Sequence, residues 1–347
     1  MQPPLIVSLQ SPDCYPHAVD SVELIETHIS WVLLAGDLVY KLKKPRDLGF
    51  LDFSTLDKRE FFCREELRLN RRTAPALYLD VIPICGTPER PLLGGSGTAI
   101  DYAVQMRRFD RDAGFDRLLA LGELQATHTI DLASALAQLH GIADVASHDS
   151  HYGSFDAVAG PLRDNFADLA RTLEGKPIEA ALSPLSRWAE SQLSALAPVL
   201  EQRQRTGFIR ECHGDAHLAN VALIDGRATL FDCIEFSDDL RWIDVMSDLA
   251  FTVMDLHSRG APGLAWLLLD EYLAVTGDYA GLALLPLYLV HRALVRAKVY
   301  ALRLEDENAE AVMDTVADYL AVASRFTHET CGAIVITVGV SGRGKSW

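Results

Sequence analysis

Apolar and polar positions alternate in short runs over the first hundred residues and then recur at helical spacing over most of the remainder. The alternation predicts strands over residues 22–26, 30–34 and 38–42, with Ala35-Gly36-Asp37 as the tight turn between the last two. A charged, helix-favouring stretch covers 55–73 and is limited by Pro75. Strand character returns over 78–85 and 99–106, separated by the Gly94-Gly95-Ser96-Gly97 loop. That makes five strands and one helix, the helix lying between the third and fourth strands. From Phe115 onward helical spacing predicts helices over 129–141, 164–173, 185–200, 245–257, 264–275, 282–304 and 309–326. One β interruption breaks this run: two apolar segments, 221–224 and 228–231, flank Asp225-Gly226, a hairpin signal.

The expectation is an α+β, bilobal chain. A small β-rich N-lobe with one helix spans 1–108, a larger helical C-lobe carrying a β-hairpin spans 109–330, and a separate segment spans 331–347. The lobe junction falls at Gln105-Met106-Arg107-Arg108-Phe109. No internal repeat or low-complexity tract is present.

Composition narrows the class. Of 347 residues, 49% are hydrophobic and 23% charged, enough for a sizeable core. The formal net charge of −16 argues against sequence-independent nucleic-acid binding and against adsorption to an anionic membrane. The six cysteines form no C-x-x-C pair, which fits free thiols in a reducing compartment rather than a zinc site. The start, Met1-Gln2-Pro3-Pro4, has no positive stretch followed by an apolar one, and no apolar run is long enough to span a bilayer. A cytoplasmic location is expected. His148, Asp149 and His151 read as a polar loop rather than a metal site, Trp242 and Trp266 read as core, and no G-x-S-x-G elbow is present.

The candidate chemistry centres on His213-Gly214-Asp215-Ala216-His217-Leu218-Ala219-Asn220. Phosphoryl transfer needs a carboxylate at the attacking hydroxyl, oxygen ligands for Mg2+ and a cation on the nucleotide phosphates. Protein kinases use a catalytic-loop Asp and an Asn five residues later, and Asp215 and Asn220 have that spacing, with His213 two residues before the Asp. A second metal-binding Asp is expected after a short hairpin, where Asp232 stands in Leu230-Phe231-Asp232-Cys233-Ile234-Glu235. The Asp225-Gly226 turn would fold these residues into one cleft.

This segment resembles the motif of the aminoglycoside phosphotransferase family, which has the protein-kinase-like fold. Glu26-Thr27-His28-Ile29-Ser30-Trp31, Phe50-Leu51-Asp52-Phe53-Ser54 and Phe231-Asp232-Cys233-Ile234-Glu235-Phe236 look like a bacterial subgroup in which such a module is fused to a C-terminal P-loop ATPase. The resemblance covers about residues 18–330. It implies Asp215 as catalytic base, His213 as a brace of the loop, and Asn220 and Asp232 as Mg2+ ligands. Lys41 would contact the ATP phosphates, with Lys43 as the register alternative on the same face. Glu65 is the preferred partner of Lys41 because it lies four residues before Leu69 on the inward face, with Glu66 nearly as good. Gln105, Met106 and Arg107 would offer backbone groups to adenine, and Asp248 would support the metal loop. The first hairpin tip, Thr27-His28-Ile29-Ser30, lacks the glycines of a kinase phosphate lid, so its amides and the Ser30 or Thr27 hydroxyl would have to cap the phosphates.

A second motif closes the chain. Residues 333–338 read as a buried strand, followed by Gly339-Val340-Ser341-Gly342-Arg343-Gly344-Lys345-Ser346, the P-loop pattern. Only Trp347 follows, so this segment reads as the first stub of an ATPase domain and not as a working nucleotide site. The expected activity is an ATP- and Mg2+-dependent phosphotransferase acting on a hydroxyl of a small molecule. The alternative is a non-catalytic, nucleotide-sensing module that regulates a partner ATPase domain missing from this chain.

Overall fold

Six antiparallel strands form the N-terminal sheet in the order β1-β2-β3-β6-β4-β5. They are β1 (Val22–Glu26), β2 (Ser30–Ala35), β3 (Leu38–Lys43), β4 (Tyr78–Thr87), β5 (Arg90–Leu93) and β6 (Ala99–Arg107). The computed structural model describes residues 2–49, 51–304 and 309–328. The expected segment 331–347, with its P-loop motif and Cys331, lies outside the described residues.

Two helices cover the two faces of the sheet. α1 (Pro4–Ser8) lies over the face formed by Trp31, Leu33, Tyr40, Leu42, Ile84 and Leu93, burying Ile6 and Leu9 there. α2 (Leu56–Asn70) packs on the opposite face, where Cys63 meets Val39, Tyr78, Val81 and Val104. The start of α2 is fixed by Thr55, whose hydroxyl accepts the Lys58 backbone N–H at 3.3 Å. Sequence periodicity missed α1, which is a single turn after two prolines, and β5, whose four residues sit at the sheet edge beside a turn. The sheet therefore has six strands where five were expected.

The C-lobe contains α3 (Phe115–Ala120), α4 (Ala126–Ile142), α5 (Phe155–Thr172) and α6 (Leu182–Arg205), followed by β7 (Ile209–Glu211). Next come the hairpin β8 (Val221–Ile224) and β9 (Arg227–Leu230), the short α7 (Asp238–Arg241) and β10 (Trp242–Asp244). The lobe ends with α8 (Val245–Ser258), α9 (Pro262–Thr276), α10 (Leu285–Ala301) and α11 (Ala309–Phe326). The hairpin turn is as expected: Asp225 and Gly226 both have positive φ, 50° and 77°, the pairing a two-residue turn demands. β10 pairs with β7, joining the segment after Asp232 to the strand that leads into the His213 loop. Neither three-residue strand is long enough to show alternation.

α8 is the hub of this lobe, with every residue from Val245 to Leu256 buried. A helix that is covered on all sides can carry polar groups only where they are paired. Its Asp248, Thr252 and Asp255 recur at i, i+4 and i+7, one face, and that face grips the loop from His213 to Asn220. No helix among the described residues is long and apolar enough to cross a membrane.

Candidate active site

The loop from His213 to Asn220 is held by side chains on buried helices. Asp248 accepts the backbone N–H groups of His213 at 2.9 Å and Gly214 at 2.8 Å. Thr252 donates to the Ala216 carbonyl at 2.6 Å, and Asp255 accepts the Leu218 N–H at 2.9 Å. Burial disfavours the Asp248 carboxylate, but His140 at 3.1 Å, His213 and Arg292 outweigh it and hold its pKa at about 2. Arg292 of α10 donates to the Gly214 carbonyl at 3.2 Å and to the Ser247 carbonyl at 3.0 Å, tying the loop to α8 from the other side. Gly214 has φ of 84°, and a Cβ there would meet the Leu240 carbonyl at 2.7 Å, so both backbone angle and space require glycine.

His213 braces the loop through both ring nitrogens. Nε2 lies 2.9 Å from the Phe231 carbonyl and Nδ1 lies 3.3 Å from the Asp215 N–H. That pattern requires a neutral ring with its proton on Nε2, and burial lowers the His213 pKa in agreement. Asp215 itself is partly open, its side chain 33% exposed. Its Oδ2 accepts Asn220 Nδ2 at 2.9 Å and lies 3.3 Å from His217 Nε2. Burial raises its pKa, yet His217, His213 and Arg296 together hold the carboxyl well below the usual carboxylate range. Asp215 is therefore an ionised acceptor at neutral pH.

Asn220 donates both to the Asp215 carbonyl and to its carboxylate, each at 2.9 Å, through the same amide nitrogen. Its Oδ1 takes no part in these two bonds. The Asn220 carbonyl accepts the Phe231 N–H at 3.0 Å, so the residue before Asp232 is bonded directly to the loop. Asp232 adopts φ of 62°, unusual for a residue with a side chain, and is pinned on both sides. Its N–H donates to the Tyr78 hydroxyl at 3.1 Å, and the Cys233 N–H donates to Asn70 Oδ1 at 2.9 Å. The Asp232 side chain is 43% exposed. Asn220 and Asp232 offer amide and carboxylate oxygens, the donors a hard divalent cation takes, so these residues fit Mg2+.

The N-lobe supplies the cations. Lys41 Nζ lies 2.8 Å from Glu66 and 2.5 Å from Asp232 Oδ1, with its side chain 13% exposed. Lys43, fully buried, bonds Glu66 at 2.8 Å and also Glu235. Alternation places both lysines on one face of β3, and the structure uses both on one carboxylate. Burial opposes the Glu66 charge, but the two lysines outweigh it and keep its pKa below the usual range. Burial together with Glu66 raises the pKa of Glu235, against the pull of Lys43.

The expected partner of Lys41 is corrected here. Glu65 points away from β3 and pairs with Arg68 at 2.8 Å, while Glu66 is the residue turned inward. A helix turn separates adjacent residues by about 100°, and the stripe buried on the sheet is Arg59, Cys63 and Glu66. A second correction concerns Gln105, Met106 and Arg107. Gln105 and Met106 lie inside β6, laddered to β3 on one side and β4 on the other. Gln105 Nε2 bonds the Tyr40 hydroxyl at 3.0 Å, Met106 is buried, and the Arg107 N–H donates to the Leu77 carbonyl at 2.8 Å. The backbone of Gln105 and Met106 and the N–H of Arg107 are committed to the sheet, and β6 ends at Arg107.

The hairpin tip also differs from expectation. Thr27 Oγ1 is spent on the Ser30 N–H and carbonyl at 3.0 and 3.1 Å, and Ser30 is buried. Sequence reasoning missed Glu235 as a partner of the lysine pair; its one signal was its place three residues after Asp232, in the quoted Phe231–Phe236 segment. Trp266, expected in the core, is 49% exposed, and Trp242 lines a cavity instead.

The model of the phosphotransferase enzyme family matches residues 97–285, more than half of the chain. The chain belongs to the phosphotransferase enzyme family. Uncharacterized proteins of Mycobacterium bovis and Mycobacterium tuberculosis are 30% identical to it over 337 residues, 96% of this chain. The chain spans 66% of the length of these curated relatives. Among solved structures, choline kinase from Cryptosporidium parvum aligns with a TM-score of 0.54 at 12% identity, covering 88% of this chain and 89% of that one. A choline/ethanolamine kinase family protein from Mesorhizobium loti gives 0.51 at 15%, covering 88% and 90%. Aminoglycoside phosphotransferase APH(4)-Ia gives 0.50 at 14%, covering 89% and 94%. At these identities the likeness is one of fold, and it agrees with the α+β, kinase-like arrangement of a curled sheet over a helical lobe.

Proposed function

We propose that this chain transfers the γ-phosphoryl group of ATP to a hydroxyl of a small molecule. The observation that carries this is that Lys41 bonds Asp232 across the lobes while Asn220, bonded to Asp215, holds through its carbonyl the Phe231 N–H next to Asp232. In this reading Asp215 accepts the hydroxyl proton as the oxygen attacks, an ionised carboxylate being the required form. Asn220 orients that carboxylate through its amide nitrogen and turns its oxygen outward. Asn220 and Asp232 would hold Mg2+, which supplies charge neutralisation on the phosphates when bound. Lys41 leaves Asp232 for the α- and β-phosphates while keeping Glu66, and adenine meets the segment following Arg107. The family's membership and the fold of kinases acting on choline and aminoglycosides support a small hydroxylated acceptor.

A second reading, a nucleotide-sensing module that acts on a P-loop ATPase partner, is favoured by the hairpin tip, where Thr27 Oγ1 is bonded to the Ser30 backbone and Ser30 is buried. The test is a Mg2+–ATP titration by calorimetry on the wild type and Asp232→Ala, with ADP release followed across a panel of small alcohols. Binding that needs Mg2+ and Asp232, accompanied by acceptor-dependent turnover, supports transfer. Binding without turnover across the panel supports the sensing module and sinks the catalytic one.

A further inference from the structure

The segment from Leu230 to Glu235 carries Asp232, and both lobes hold its backbone. The Phe231 N–H donates to the Asn220 carbonyl at 3.0 Å and the Ile234 N–H to the His213 carbonyl at 3.1 Å, both in the loop that carries Asp215. The remaining groups go to the N-lobe. The Leu230 carbonyl accepts the Thr73 hydroxyl at 2.8 Å, the Asp232 N–H donates to the Tyr78 hydroxyl at 3.1 Å, and the Cys233 N–H donates to Asn70 Oδ1 at 2.9 Å. Asp232 needs this support, because a side-chain-bearing residue at φ of 62° persists only where its surroundings over-determine the backbone.

Glu235 ends the segment with a carboxylate that the transfer reaction does not use. It is 4% exposed and bonds Lys43, while its carbonyl accepts Arg241 Nη1 at 3.1 Å. Lys43 is fully buried, with its ammonium 4.9 Å from the Phe53 ring centroid and 2.8 Å from Glu66 Oε2. Burial disfavours this charge, but Glu235 and Glu66 outweigh it and raise the Lys43 pKa, so the group is an ammonium at neutral pH. Of the two lysines only Lys41, 13% exposed, has surface to offer a phosphate.

The two lysines divide Glu66 between them, Lys41 taking Oε1 and Lys43 taking Oε2. Each also reaches one carboxylate of the 230–235 segment, Lys41 to Asp232 and Lys43 to Glu235. In the transfer reading Lys41 gives up Asp232 for the nucleotide. The Lys43–Glu235 pair then remains as an ion pair joining β3 to that segment.

We propose that Lys43 and Glu235 are positioning residues for Asp232, holding its segment against β3 and α2 while Lys41 and Asp232 engage Mg2+ and ATP. This rests on the phosphoryl-transfer reading. The pair acts through the Glu66 carboxylate and through the backbone that fixes Asp232, and touches neither metal nor nucleotide. Groups that orient a metal ligand from behind typically contribute about 10–100-fold to metal affinity.

The test is calorimetric titration of ATP into the full chain at a series of Mg2+ concentrations, with a melting curve for every variant; no acceptor is needed. Lys43→Met and Glu235→Gln should each raise the Mg2+ concentration for half-maximal ATP binding by about tenfold or more. Arg203→Met is the control for lost stability, since it breaks a buried ion pair with Asp244 and Asp278 instead. It should lower the melting temperature and leave the Mg2+ requirement unchanged. Glu235→Gln keeps the shape of the side chain and decides the matter if Lys43→Met fails to fold. An unchanged Mg2+ requirement in either folded variant, or an equal rise in Arg203→Met, overturns the proposal while Mg2+-dependent binding by the wild type leaves the transfer reading standing. ATP binding by the wild type that ignores Mg2+, or no binding at all, overturns both.

Discussion

Glu66 gives the sharpest test of the cleft's architecture, because the residue beside it is the natural control. Its carboxylate is fully buried between Lys41 and Lys43, each at 2.8 Å. Removing one member of a buried ion pair typically costs about 3–5 kcal/mol, because the partner's charge is left uncompensated. Here each lysine keeps a second carboxylate, Asp232 or Glu235, so Glu66→Gln should fall near the low end, about 3 kcal/mol. Glu65→Gln removes a pair with Arg68, whose side chain is 45% exposed, and such pairs are worth about 1 kcal/mol or less. Urea unfolding of both variants, followed by far-ultraviolet circular dichroism, separates the two. The acid dependence adds a second signature. Glu66 has a folded-state pKa below its unfolded value, so its contribution is complete above about pH 4.3 and fades as the pH falls below that. The gap between wild type and Glu66→Gln should therefore be smaller at pH 3 than at pH 7. Equal midpoints for Glu65→Gln and Glu66→Gln at pH 7 would refute the assignment of Glu66 as the buried partner.

Three further outcomes are expected. Asp215→Asn should lower phosphoryl transfer by about 10²–10⁴-fold with an unchanged circular dichroism spectrum; and because the Asp215 pKa is held low, the wild-type rate should show no loss from this group until the pH falls below about 4. An Asp215-dependent inflection near pH 7 would contradict the geometry. Gly214→Ala forces a side chain onto the Leu240 carbonyl at φ of 84° and should destabilise by about 1–3 kcal/mol in urea melts, with a larger fractional loss of turnover than of stability. Arg203→Met leaves Asp244 and Asp278 buried without their shared cation, at 2.6 to 2.7 Å in the wild type, and should cost about 3–5 kcal/mol, read as a fall in melting temperature.

Much of this protein was legible in its sequence because the signals are local. Asp215 and Asn220 stand five apart because one loop must present both, and Asp225-Gly226 announces the turn that returns the chain to Asp232. Helical spacing found every long helix of the C-lobe, and α11 matches its expected bounds, since each has a continuous apolar face. Net charge and the absence of long apolar segments set the broad class. What the sequence left open depends on rotation and on distant partners. Neighbouring glutamates differ by about 100° around a helix, and only docking of α2 on the sheet selects Glu66 over Glu65. Lys41 and Lys43 are equivalent by alternation and share Glu66; Asp232 for Lys41 and Glu235 for Lys43 give them separate duties. The grip of Asp248, Thr252 and Asp255 on the loop is invisible until α8 is buried on every side, because burial is what compels those side chains to pair. Local chemistry was thus written in short spacings, while the choice among chemically equal residues was made by packing.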